Sequence, residues 1–136
     1  MTLPIIYSED FYQRLTNYSR YSQLAYYKDV LVGAISCRFE DHKDEEGKYT
    51  GNRVVYIMTI TVLSPYRRYN IGSQLLDYAI QECKAGDVKS IYLHVLCSNE
   101  TACKFYEKAG FKSKEKLENY YSDLDPPHCY IFEKDL

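Results

Sequence analysis

The chain has no tryptophan, only two methionines, and just six glycines and four prolines in 136 residues. So little glycine and proline excludes collagen-like and low-complexity organisation. There is also no excess of one charge. Seventeen basic residues face nineteen acidic ones, leaving a net charge of -2 and none of the basic surplus that non-specific nucleic-acid binding requires. Long apolar runs are missing as well. Nothing approaches the roughly 18 to 20 residues of a membrane-spanning helix, and Met1-Thr2-Leu3-Pro4 has neither a basic region nor an apolar core of a secretory signal. The expectation is a soluble protein with no direct nucleic-acid or membrane partner. The five cysteines are an odd number without a Cys-x-x-Cys pair or a histidine at zinc-ligand spacing, so neither a disulfide framework nor a metal site is indicated. They read as small buried hydrophobes kept reduced in a cytoplasmic or nuclear protein.

What is present is an ordinary globular composition, 46% apolar and 26% charged, on a length that suits one domain over 1–136. Tyrosine is over-represented, with sixteen copies. An apolar ring with a polar tip suits the wall of a groove that receives a polar chain.

Along the chain, Ser8-Glu9-Asp10 opens a short helix through about Tyr18, with acidic residues at its positive end. Gln23 to Tyr27 and Val30 to Phe39 then read as a hairpin turning at Lys28-Asp29. Glu40 to Gly51 reads as a polar connection with solvent-facing charges. Arg53 to Leu63 is apolar on both parities, which predicts a central strand covered on both faces. Ile71 to Ala85 repeats apolar residues at helical spacing, with Gly86 placed as a left-handed C-terminal cap. Ser90 to Leu96 predicts a second buried strand, parallel to the first. Ser98-Asn99 caps a helix through Lys108 that stops at Gly110. Phe111 to Lys116 and His128 to Glu133 close the chain as antiparallel strands.

The segment from Pro65 to Gly72 (PYRRYNIG) lies between a strand and a helix start. Freed backbone N–H groups, the positive helix end and two arginines together suit a pyrophosphate. Taken alone, the segment also fits an ordinary strand-to-helix turn with surface arginines. No Gly-Lys-Ser/Thr or GxGxxG follows, so mononucleotide and dinucleotide loops are excluded.

The same segment combines with others into a larger pattern. Arg67-x-x-Asn70-x-Gly72 after a strand, then SIYLHV, then Ser98-Asn99-Glu100-x-Ala102-x-x-Phe105-Tyr106-x-x-x-Gly110-Phe111, resembles the GCN5-related N-acetyltransferases. YIMT (56–59), PYRR (65–68), YLHV (92–95), SNE (98–100) and NYY (119–121) are similar to the NatE type of protein N-terminal acetyltransferase. The resemblance implies an α/β acyl-CoA N-acyltransferase (GNAT) fold, a mixed central sheet with splayed parallel strands. It aligns the first residues with the loop after the family's first helix, so that the family's first strand and helix are lacking. Asn70 stands at the first glycine of the loop, and asparagine is the residue after glycine that best tolerates a left-handed backbone.

The implied reaction moves acetyl from acetyl-CoA, a co-substrate, to the free α-amino group of a protein N-terminus, with no metal. Tyr56 and His94 would hold a water that takes the amine proton, and Tyr106 would protonate the departing thiolate. Backbone N–H groups of Ile60, Thr61 and Val62 would polarise the thioester. Arg67, Arg68, Tyr69, Asn70, Ile71, Gly72 and Ser73 would cradle the pyrophosphate. Asn99, Ala102 and Phe105 would meet the pantetheine, with Asn99 either bonding it or ordering the helix cap. Leu3, Pro4, Ile5 and Tyr7 would form one wall of the peptide groove and Tyr120 and Tyr121 the other, and Met58, on the face of its strand that carries Tyr56, can line it. A retained Met followed by an apolar residue is the implied N-terminus. Implied partners are protein or nascent-chain N-termini and the large auxiliary and catalytic subunits of the NatA complex. Acetylation of lysine or a small amine, and a non-catalytic acetyl-CoA-binding adaptor in a ribosomal acetyltransferase complex, stay open as alternatives.

Overall fold

The computed structural model describes residues 6–7, 20–117 and 128–136. The helix expected over Ser8 to Tyr18 and the connection over Asn119 to Pro127 lie outside the described residues. Strands β1 (Ile6–Tyr7), β2 (Gln23–Tyr27), β3 (Val30–Lys43), β4 (Tyr49–Val62), β5 (Ser90–Leu96), β6 (Lys112–Leu117) and β7 (Cys129–Asp135) form one mixed sheet in the order β1-β2-β3-β4-β5-β7-β6. Helix α1 (Ile71–Ala85) links β4 to β5, and α2 (Glu100–Lys108) follows β5.

The expected hairpin is there, and Lys28 supplies its positive φ of 56°. The Glu40 to Gly51 connection is a correction. Residues through Lys43 and from Tyr49 onward are strand, leaving a turn at 44–48 where Asp44 Oδ1 accepts the amides of Glu46 and Lys48. Polar side chains hid this because the β3–β4 ribbon runs past the core, so its backbone pairs while its side chains stay wet.

Helix α1 lays Ile71, Leu75, Leu76, Ala79, Ile80 and Cys83 on the sheet. They meet Val32, Ile35, Val55, Ile57, Ile91, Leu93, Val95 and Phe132 in one core. Each large aliphatic buried there contributes about 1.5 to 3 kcal/mol. Gly86 is a second correction. Its φ is -98°, and the left-handed residue is Asp87 at 57°. Val88 N–H bonds back to the Cys83 carbonyl, so Asp87 closes the turn. Gly86 is required for another reason: a Cβ there would lie 2.7 Å from the hydroxyl oxygen of buried Tyr21. Gly110 does stop α2 as expected, at φ 94°.

β4 and β5 are parallel, as expected, yet they pair only at Val54–Ser90, Val55–Ile91 and Tyr56–Tyr92. Beyond Tyr56 the strands part. The sequence reading of β4 as covered on both faces therefore holds at Val54 and Val55 and fails from Met58, which is 45% exposed.

Candidate active site

Where β4 and β5 separate, a cavity of about 940 Å³ opens, lined by the far halves of both strands and the first turns of α1 and α2. Both helices thus direct their positive ends at it. At α1 the first intrahelical bond is Gln74 N–H to the Asn70 carbonyl, at 3.1 Å. The amides of Ile71, Gly72 and Ser73 precede that bond and form the anion-ready turn.

Asn70 holds φ 60° and ψ 25° between a 3₁₀ turn (Ser64–Tyr69) and α1. The left-handed conformation read from its position in the loop is what the structure has. Arg67 lines the cavity and anchors itself through Nε to the Val62 carbonyl at 3.0 Å. Tyr69 and Ile71 turn their side chains to the core, so what they offer the cavity is backbone. The Arg68 side chain lies outside the described residues.

Strand alternation sorts the amides of the expected carbonyl-polarising segment. Leu63 N–H bonds Val32, the register partner next along from Val62–Gly33. Hydrogen-bonded pairs alternate, so the amide of Thr61 is directed at Ala34 on β3. Ile60 and Val62 direct theirs toward the split. Thr61 therefore lines the cavity but is not one of its amide donors.

On α2, the Asn99 side chain accepts the Ala102 amide at 3.1 Å, which is the capping role of the two expected. Ala102, Phe105 and Tyr106 line the cavity. Tyr106 is 5% exposed and its ring packs between Phe105 and Phe111. Burial pushes its phenol up to about 12, so it keeps its proton.

The acid–base candidates are brought together directly. Tyr56 Oη lies 2.9 Å from His94 Nδ1, across the point where the strands diverge. Burial lowers the His94 imidazole from its ordinary value and the Glu40 carboxylate partly opposes this, so the ring is mainly neutral near pH 7. The Met58 side chain borders the same cavity. Of the expected groove walls, Tyr7 contributes backbone to β1, opposite Ala25 at the sheet edge. Leu3, Pro4, Ile5, Tyr120 and Tyr121 lie outside the described residues.

Three residues of the site were not singled out in the sequence. Arg38 and Tyr92 flank the Tyr56 ring, and Glu40, read as a solvent-facing charge, pairs with Arg38 and accepts the Tyr92 hydroxyl. The available signal was parity: Arg38 and Glu40 alternate on a strand that continues the hairpin. Among the described residues no group of three or more His, Cys, Asp or Glu is placed to hold a metal, and no helix is long and apolar enough to cross a membrane.

The sequence profile of the Acetyltransferase (GNAT) family matches residues 2–111. The chain is a GNAT acetyltransferase. This GNAT chain is 38% identical to N-alpha-acetyltransferase 50 of Danio rerio over 134 residues, covering 98% of itself and 76% of that protein. To the probable N-acetyltransferase san of Drosophila melanogaster it is 34% identical, over 100% of itself and 71% of the relative. Arabidopsis thaliana Naa50 in complex with the bisubstrate analogue CoA-Ac-MVNAL superposes at a TM-score of 0.77 and 41% identity, covering 98% of this chain and 85% of that one. The splayed strands and two-helix cavity are thus the GNAT fold expected from the sequence.

Proposed function

We propose that this GNAT acetyltransferase is a protein N-α-acetyltransferase that uses acetyl-CoA to acetylate free α-amino groups of protein N-termini. One observation carries the reading: the Tyr56–His94 pair sits at the parting of β4 and β5, beside a cavity closed by two helix N-termini.

An α-amino group titrates at about 7.7 to 8.0, so much of it is already neutral near pH 7 and mild base assistance suffices. The amine nitrogen forms a bond to the thioester carbon as the carbon–sulfur bond breaks. The amine proton passes to a water held by the Tyr56–His94 pair, with the imidazole as the base and the phenol as its orienting partner. The Ile60 and Val62 amides stabilise charge growing on the carbonyl oxygen. The protonated Tyr106 returns a proton to the leaving sulfur. Arg67 with the amides of Ile71, Gly72 and Ser73 holds the pyrophosphate, while Ala102 and Phe105 flank the pantetheine arm.

The substrate class in this reading is a retained Met followed by an apolar residue. Met58 at the cavity supports it, as does the likeness to an enzyme whose analogue begins Met-Val. Leu3, Pro4, Ile5 and Tyr7 on one side and Tyr120 and Tyr121 on the other carry the groove by resemblance. Residence in the cytoplasm and nucleus, and association with the NatA subunits, belong to the same reading; five free cysteines fit a reducing compartment.

The test is acetyl transfer to a Met-Leu peptide, compared with the same peptide N-terminally blocked and carrying a free internal lysine. Preference for the free N-terminus supports the proposal. Equal rates would favour a general amine acetyltransferase, and acetyl-CoA binding without turnover would favour an adaptor.

A further inference from the structure

The contacts of the acid–base pair continue onto a third strand. Tyr56 is in register with Arg38 of β3 on one side and with Tyr92 of β5 on the other. The Arg38 guanidinium carbon lies 5.1 Å from the centre of the Tyr56 ring, and its Nη2 is 2.6 Å from Glu40 Oε2. The other Glu40 oxygen, Oε1, accepts the Tyr92 hydroxyl. The Tyr92 ring is in turn 4.9 Å from that of Tyr56 and 6.4 Å from that of His94. Glu40 therefore ties together the two groups that enclose the Tyr56 ring.

We propose that Glu40 is a positioning residue for acetyl transfer: one carboxylate oxygen fixes Tyr92 and the other fixes Arg38, clamping Tyr56 against His94. The inference rests on the acetyltransferase reading above. Tyr56 is the last position at which β3, β4 and β5 stand in register before β4 and β5 part. A tyrosine or arginine side chain is long and loses rotamer freedom when fixed, and a carboxylate bonded at both oxygens supplies that fixation to two such chains at once. The Glu40 side chain is 25% exposed and that of Arg38 is 57% exposed, so screening weakens the ion pair and leaves the Tyr92 bond as the firmer link. Burial, reinforced by Glu40, raises the Tyr92 phenol, so it remains a donor.

Among the described residues, the charged and titratable groups around His94 are few. Tyr56 comes from β4, Tyr92 from β5, and Arg38 with Glu40 from β3. On β7, Ile131 stands opposite His94 and Glu133 opposite Tyr92. Glu133 and Lys114 share with Glu40 and Tyr92 the lining of a second cavity of about 720 Å³.

The experiment compares Glu40→Gln and Tyr92→Phe in the full chain. Two measurements are made, acetyl transfer to a Met-Leu peptide and the NMR titration of the His94 ring protons, assigned with His94→Ala. Glu40→Gln keeps an acceptor for Tyr92 but deletes the charge and frees the Arg38 cation. Both changes disfavour imidazolium, so the His94 midpoint should fall. Its kcat should drop about tenfold, the order expected when a reacting group loses its alignment, with acetyl-CoA affinity unchanged. Tyr92→Phe retains the charge, so kcat should fall while the His94 midpoint stays near that of the parent. Glu40→Asp should recover part of the loss. Unchanged kcat and midpoint in Glu40→Gln would overturn the proposal. If that variant does not fold, full activity in Tyr92→Phe overturns it. Failure of the parent to acetylate any amine would instead defeat the acetyltransferase reading, with the titration still reporting on Glu40.

Discussion

Tyr56 and Tyr92 are the last register partners of the parallel β4–β5 pair, their rings 4.9 Å apart, and past them the strands open into the cavity. The site is built on that opening. Ladder pairing supports Tyr56 from below, while above it unpaired strand backbone faces the space a substrate must enter.

Removing either member of the proton-accepting pair should damage turnover without emptying the cavity. His94→Ala is expected to lower kcat by about 10²- to 10⁴-fold, and Tyr56→Phe by about tenfold or more. Acetyl-CoA affinity, measured by calorimetry, should stay close to the parent in both. Full activity in both variants would remove the assignment.

The pH dependence has a defined sign. His94 must be neutral to accept a proton, and burial sets its folded value below the ordinary 6.5. The acid limb of kcat should therefore have its midpoint below pH 6.5, with activity present above it and lost as pH falls through it. His94→Gln should abolish that limb. A limb above the ordinary histidine value that survives the substitution would assign it to another group.

Gly72 is tested by size. An added Cβ would meet Phe105 Cζ at 3.6 Å and Val62 Cγ2 at 3.8 Å, which is ordinary contact. Gly72→Ala should then bind acetyl-CoA nearly as well as the parent. Gly72→Trp must extend across the first turn of α1 and should abolish measurable binding, because anions are held there by close backbone approach.

Two backbone positions separate conformational from steric demands. Asn70→Ala should cost about 1 kcal/mol because its φ of 60° is left-handed, and Asn70→Gly should not. Gly86→Ala should cost about 1 to 3 kcal/mol through overpacking against the Tyr21 hydroxyl, although φ is -98°. Tyr21→Phe should recover most of the second loss and none of the first. Thermal unfolding of the single and double variants reads both.

The sequence by itself determined the elements whose signals are local. Apolar period located α1, β4 and β5, Asn99 and Gly110 marked the ends of α2, and asparagine at the family's first loop glycine suits the left-handed backbone that Asn70 has. Quoted motifs carried the GNAT family and the pair Tyr56 and His94. Tertiary structure decided what depends on neighbours from distant segments. Gly86 is required by Tyr21, sixty-five positions away in the chain but 2.7 Å away in space. Glu40 reads as a solvated charge because its only partner near in sequence is the exposed Arg38, while Tyr92 lies 52 positions away. Only the register of β3, β4 and β5 brings its carboxylate to Tyr92 and Arg38 to Tyr56. Alternation along β4 likewise left the Ile60 and Val62 amides for the cavity and turned that of Thr61 to β3. Local sequence specifies which backbone a segment prefers; which side chain then meets which is set by strand order and register, and these form only when the whole sheet packs.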